Sequence, residues 1–214
     1  MITDYLSEPK HPALISLNKI LVCEAPWKEA YDYILFIDAD ILIHAKAPPL
    51  HDADGVRAFG DTIGVVHQSQ PTLEARIAGQ IHKGYADVTA ADYYRLKAGL
   101  AIETDHIINS GVLVIQPAKH AAFLRKIFQT YFRGQLDSPH GFHYDQAVVG
   151  YELLAARCYT FLDKKLNALW ANNKYYYNTM LKQPKTLQEF YDENYFIHLA
   201  GRCDYDRIPS LTMC

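Results

Sequence analysis

Two carboxylates spaced two residues apart, Asp38 and Asp40, close the apolar run Tyr33-Ile34-Leu35-Phe36-Ile37 and precede a second one, Ile41-Leu42-Ile43. The first run is rich in β-branched and aromatic residues and predicts a buried strand. Carboxylates at the tip of a buried strand lose hydration, so the pair requires something that compensates them. Residues i and i+2 share one side of a strand, and a turn at its end lets both converge on one cation. Two hard oxygen donors suit Mg²⁺ or Mn²⁺, which can in turn hold a diphosphate. An Asp-rich turn that merely ends a strand would read the same in isolation. The residues downstream decide between the two readings.

Three further positions carry suitable chemistry. Asn109-Ser110-Gly111 stands before the apolar run Gly111-Val112-Leu113-Val114-Ile115, which predicts a small, permissive turn with an amide at the strand edge. Asp145-Gln146 stands at the predicted start of a helix, where free N–H groups favour anionic or hydroxyl-rich ligands. His198 follows the run Tyr195-Phe196-Ile197 and precedes Leu199-Ala200-Gly201, another strand end opening into a glycine turn. In an open α/β sheet, ligands gather at such strand ends. A lone histidine is more often structural than a ligand, but beside an Asp-x-Asp pair His198 becomes a third candidate ligand. Trp170, Tyr175, Tyr176 and Tyr177, and likewise Tyr85, Tyr93 and Tyr94, could stack on sugar rings, although ordinary packing accounts for them more readily.

The elements that must position these groups follow from periodicity. Leu14, Leu17, Leu21 and Ala25 have helical spacing within residues 12–31, ending at Pro26 and Trp27. Pro48-Pro49 and the polar stretch to Gly60 predict a loop, and Ile63-Gly64-Val65-Val66 another buried strand. Residues 69–106 are polar and glycine-punctuated; within them Thr89 caps a short helix through Leu96. Phe123, Leu124, Ile127, Phe128, Tyr131 and Phe132 repeat at three and four before Gly134, giving a helix. A further helix is predicted from about Asp145 to Ala156, a strand over Tyr159–Leu162, and a capping box at Thr186-Leu187-Gln188-Glu189. Strands alternating with helices predict an α/β domain with a mixed, mostly parallel sheet flanked by helices. No repeat, low-complexity tract or linker interrupts it, so one domain over residues 1–214 is expected.

Composition narrows the function classes. The chain of 214 residues is 50% hydrophobic and 21% charged, the profile of a globular protein with a sizeable core. A net charge of −3 without a Lys/Arg block argues against a nucleic-acid surface. No apolar run approaches the roughly 20 residues a membrane span needs, and Met1–Lys10 has no signal-peptide core. Cys23, Cys158, Cys203 and Cys214 lie far apart without a Cys-x-x-Cys pair, which disfavours a zinc ribbon and a disulfide scaffold. A cytoplasmic, reducing setting is the expectation.

Tyr31–Asp40 (YDYILFIDAD), Asn109–Pro117 (NSGVLVIQP), Tyr144-Asp145-Gln146 and Phe196–Arg202 (FIHLAGR) occur in an order that resembles glycosyltransferase family 8, the glycogenin-like enzymes, and more loosely family 34. The resemblance spans residues 14–202. It implies a GT-A, Rossmann-like nucleotide-diphospho-sugar transferase fold, a UDP-sugar donor, a saccharide or protein acceptor, Mn²⁺ (or Mg²⁺), and transfer with retention of anomeric configuration. By it, Asp38 meets the donor's ribose or the metal, Asp40 and His198 bind the metal, and Asn109, Ser110 and Gly111 line the donor. It also places Asp145 at the donor sugar and Gln146 near the anomeric carbon.

Two departures qualify the resemblance. Two βαβ units for the uracil and ribose would need roughly 60 residues before the Asp-x-Asp strand; 37 precede Asp38. The chain therefore resembles a member truncated at its N-terminal nucleotide-binding strands, with poor base discrimination and self-association through an exposed sheet edge expected. Where the family carries Lys-Pro after its His-x-x-Gly, Arg202 follows Gly201, so Gly201 and Arg202 are expected at the diphosphate, ahead of Arg207. A haloacid-dehalogenase-type phosphatase also opens on Asp-x-Asp, but Gly60-Asp61 comes too soon to be its late acidic metal site. A degenerate sugar-nucleotide-binding or scaffold protein is the non-enzymatic alternative.

Overall fold

The computed structural model describes residues 17–24, 29–48, 50, 60–67, 89–131, 144–170, 173, 185–200, 208 and 211. Seven strands run through them: β1 (Ile34–Ile37), β2 (Ile41–Ile43), β3 (Ile63–His67), β4 (Ile108–Ile115), β5 (Tyr159–Phe161), β6 (Ala168–Leu169) and β7 (Phe196–His198). Four α-helices accompany them: α1 (Ala90–Ala98), α2 (Pro117–Tyr131), α3 (Tyr144–Ala156) and α4 (Leu187–Glu193).

Local signals set the helix ends. Thr89 and Asp92 form a reciprocal capping box on α1, and Gly99, at φ 69°, ends the helix in the left-handed region. Thr186 and Glu189 cap α4 in the same way. Pro117 stops β4 and becomes the first residue of α2, where its missing N–H costs nothing. The helix expected over residues 12–31 is, in its described part, a 3₁₀ helix over Asn18–Glu24. Its three-residue repeat brings the fully buried Leu17, Ile20 and Cys23 onto one line.

The strands form two sheets, ordered β1-β4-β3-β5 and β2-β7-β6. Pairing is antiparallel for β1/β4, β3/β4 and β2/β7, and parallel for β3/β5 and β6/β7. The mixture is as expected, but its parallel share is smaller. β4 is entered from a long connection and runs against both of its neighbours. The core lies between the four-stranded sheet and α1–α3, where Val65, Leu113, Ile115, Tyr94, Leu124, Ile127, Val148 and Leu153 are buried. Val66, Val112, Leu166 and Phe196 fill the space towards the second sheet. β1 departs from the wholly buried strand expected, because Leu35 is 41% exposed on its outer face.

The pairing of β3 with β4 is irregular next to the Asn109-Ser110-Gly111 segment. Val65 pairs with Leu113, but Val66 pairs with Asn109, so residues 110–112 are extra on β4. A bulge of this kind reverses the side-chain alternation. Leu113 and Ile115 face the helices while Val112 and Val114 face away. Ser110 nevertheless reaches the helix side, where it meets Lys19 and Asp145. Asn109-Ser110-Gly111 is therefore not a turn before the strand, as its composition predicts; it lies within β4, held there by pairing to β3 and β1. Among the described residues, no helix is long and apolar enough to cross a membrane.

Candidate metal and donor site

Asp38-Ala39-Asp40 is the hinge between the two sheets. The Asp38 N–H donates to the Gly111 carbonyl at 2.8 Å, tying the turn to β4, and the Ile41 N–H closes it on the Asp38 carbonyl at 3.2 Å. The Leu199 N–H donates to the Asp40 carbonyl at 2.9 Å, which ties the same turn to the end of β7. β2 and β7 pair Ile41 opposite His198. The imidazole is thereby delivered to the two carboxylates. His198 Nε2 lies 3.1 Å from Asp40 Oδ1 and 3.9 Å from Asp38 Oδ2.

Asp38, Asp40 and His198 each offer a ligand atom, and these lie within 4.8 Å of one another. Two carboxylates and one imidazole form a donor set that fits a first-row divalent ion such as Mn²⁺. The two carboxyls differ in environment. Burial raises the Asp38 carboxyl above its ordinary range, with Lys19 opposing the shift, whereas the hydrogen bond that His198 makes through Nε2 when its ring is charged lowers that of Asp40.

Behind the histidine stands a run of polar groups. His198 Nδ1 lies 2.9 Å from Asn167 Oδ1, Asn167 Nδ2 donates to Asn109 Oδ1 at 2.8 Å, and Asn109 Oδ1 also accepts the Gly111 N–H at 2.8 Å. Asn109, Asn167 and His198 are all buried. Gly111 matters here for space. A Cβ on it would come within 2.7 Å of His198 Cε1 and 2.9 Å of Nδ1, so only glycine lets the ring lie against β4.

On the helix side of the turn sits a residue that sequence reasoning missed. Lys19, on the 3₁₀ helix, places its ammonium 2.5 Å from Asp145 Oδ2, 2.9 Å from Ser110 Oγ and 3.4 Å from Asp38 Oδ1. Its side chain is only 8% exposed. Ser110 in turn donates to Asp145 Oδ2 at 3.2 Å. The available signal was a single charge inside the apolar stretch Leu17–Val22. Asn167, also missed, had no such signal. The next residue of α3 points elsewhere: the Gln146 amide donates to the Tyr93 hydroxyl at 2.9 Å.

The structure thus brings together Asp38, Asp40 and His198, and sets Asp145, Ser110, Gly111 and Asn109 around them. Gly201, Arg202 and Arg207 lie outside the described residues, as do Tyr85 and Tyr175–Tyr177. Tyr93, Tyr94 and Trp170 are core residues, each nearly inaccessible, and Trp170 meets Phe190 edge-on at 5.3 Å.

No family model and no curated protein matches the sequence. Solved structures do match in three dimensions. The galactosyltransferase LgtC, solved in complex with donor and acceptor sugar analogues, is 18% identical with a TM-score of 0.53 over 94% of this chain and 64% of its own. The bifunctional glycosyltransferase WbbM is 16% identical with a TM-score of 0.56, over 94% of this chain and 33% of its own. A glycosyltransferase involved in glycosylation of the major capsid of PBCV-1 is 15% identical with a TM-score of 0.51, over 94% and 78%. The chain spans less than two thirds of LgtC. Its mixed α/β architecture is the GT-A-like fold of these glycosyltransferases.

Proposed function

We propose that residues 1–214 form one glycosyltransferase domain that moves a sugar from a UDP-sugar donor to a saccharide or protein acceptor, with a divalent metal and retention of anomeric configuration. The observation that carries this reading is the convergence of Asp38, Asp40 and His198 on one point beside the Lys19–Asp145–Ser110 cluster. The order of the four motifs and the fold shared with glycosyltransferases support it.

In this reading Asp38, Asp40 and His198 would hold Mn²⁺ or Mg²⁺, which supplies neutralisation of the negative charge on the departing diphosphate. The chain's own groups do the positioning. Lys19 holds the Asp145 carboxylate in place, and Asp145, Ser110 and Asn109 offer hydrogen-bonding groups to donor hydroxyls. The Gln146 amide, held by the Tyr93 hydroxyl, is assigned to the reacting carbon by the family resemblance. Gly201 and Arg202 contribute at the diphosphate.

Hydrolysis of a panel of nucleotide sugars by the purified chain, with Mn²⁺ and with EDTA, tests the proposal. Metal-dependent release of nucleoside diphosphate is the expected result. Metal and donor binding without turnover on any donor or acceptor would make the chain a sugar-nucleotide-binding protein instead. Asp145→Ala and Gln146→Ala are expected to lower kcat more than they raise KM, as groups acting on the reacting sugar do; a change in KM alone would make them binding residues.

A further inference from the structure

We infer that Asn167, anchored through Asn109 to the backbone of β4, is a positioning residue that holds His198 in the Nδ1–H tautomer and so turns its Nε2 lone pair towards Asp40 and Asp38. The assignment starts from a group that cannot be turned round. The Gly111 backbone N–H is a donor, so the Asn109 atom 2.8 Å away is the carbonyl oxygen. That oxygen lies 2.8 Å from the Asn167 side chain, and only an amide nitrogen can meet it there. The other Asn167 atom is therefore an oxygen, a pure acceptor, and it sits 2.9 Å from His198 Nδ1. Nδ1 must carry the hydrogen.

The consequence appears at the other end of the ring. In the neutral Nδ1–H form, Nε2 presents a lone pair to a carboxylate oxygen 3.1 Å away. Two acceptors face each other, an arrangement that either a proton on Nε2 or a metal ion between or beside them relieves. The alternative Nε2–H tautomer would satisfy Asp40 without any cation, and the asparagine relay disfavours it. Asn167 and Asn109 thus keep the histidine ready as a ligand, and the bulge of β4 together with Gly111 keeps it in place. A hydrogen bond from a ligating histidine's second nitrogen is the general means of fixing its tautomer.

The metal-affinity consequence rests on the metal-site reading above; the tautomer does not, so the two are measured separately. The first measurement is the ¹⁵N spectrum of the histidine-labelled, metal-free chain at about pH 8, above the ordinary histidine range, with His198 assigned by its loss in His198→Gln. The expected result is a protonated Nδ1 in the wild type and a switch to Nε2–H in Asn167→Leu. Asn109→Asp, which keeps an acceptor for both Gly111 N–H and the Asn167 amide, should retain the wild-type tautomer. A wild-type ring already in the Nε2–H form overturns the inference without any variant, and so does an Asn167→Leu ring that stays Nδ1–H. The second measurement is Mn²⁺ binding followed by electron paramagnetic resonance. Asn167→Leu should weaken it about 10- to 100-fold, the usual effect of removing such a partner. Wild-type Nδ1–H without Mn²⁺ binding would uphold the relay and remove the metal reading; unchanged Mn²⁺ affinity in Asn167→Leu would remove the relay's role.

Discussion

Lys19 balances the charge of the site. Asp38, Asp40 and Asp145 bring three carboxylates to one sheet end, and the Lys19 ammonium is in ion-pair contact with two of them. Its partner Asp145 has a side chain 15% exposed, so solvent screens the pair only in part. Lys19→Met is expected to destabilise the fold by about 1–3 kcal/mol in urea unfolding, the cost of an uncompensated, partly buried charge after allowance for screening. Lys19→Arg should recover most of that loss, and equal loss in both would show that packing rather than charge holds the residue. Asp40→Asn and His198→Ala act on the other side of the turn. Each is expected to abolish Mn²⁺ binding in calorimetry while leaving the far-ultraviolet circular dichroism unchanged. Retained binding in both would place the ion elsewhere.

At the level of elements, β4 is the part that everything else uses. It is an inner strand of the four-stranded sheet, carries Asn109, Ser110 and Gly111, and accepts the Asp38 turn. Its beginning is held from α1, where the Tyr94 hydroxyl accepts the buried Ile108 N–H at 3.1 Å. Burial pushes the Tyr94 phenol well above its ordinary range, so it stays neutral. Gly150 on α3 makes room for that hydroxyl, because a Cβ there would come within 2.8 Å of it. Gly150→Ala should displace Tyr94 and leave the Ile108 N–H without its partner, costing about 1–3 kcal/mol. Denaturant melts measure this, and Tyr94→Phe, which removes the same bond without the steric clash, should give a similar loss. A stable Gly150→Ala variant would show that α3 shifts freely against α1.

For the molecule as a whole, the described residues leave β1 as an edge of its sheet. Leu35 on this strand and Ile43 on β2 are 41% and 50% exposed, and they border an apolar cleft of about 310 Å³ with Leu50, Val114 and Phe196. An apolar strand edge is a template for pairing with another chain. Self-association of the purified chain is the expected outcome in sedimentation velocity, and Leu35→Lys should reduce it by placing a charge on that edge. A wild-type monomer at every concentration would dispose of this expectation.

The sequence alone determined where most elements start and stop, since caps and periodicity act over a few residues. Thr89 with Asp92, Thr186 with Glu189, and Pro117 are such local signals, and the α/β class followed from their alternation with apolar runs. It also singled out Asp38, Asp40 and His198, because polar groups at the tips of apolar strands are conspicuous wherever the strands lead. Only the tertiary structure decided that Asn109-Ser110-Gly111 lies inside β4, since strand pairing with β3 and β1 set that boundary. Only it revealed Lys19 and Asn167. Lys19 meets Ser110 across 91 positions, and Asn167 meets Asn109 and His198 across 58 and 31. A charge or an amide has no periodicity of its own. What it does depends on the partner that folding brings within about 3 Å, and that partner is fixed by the packing of sheets and helices rather than by neighbouring residues.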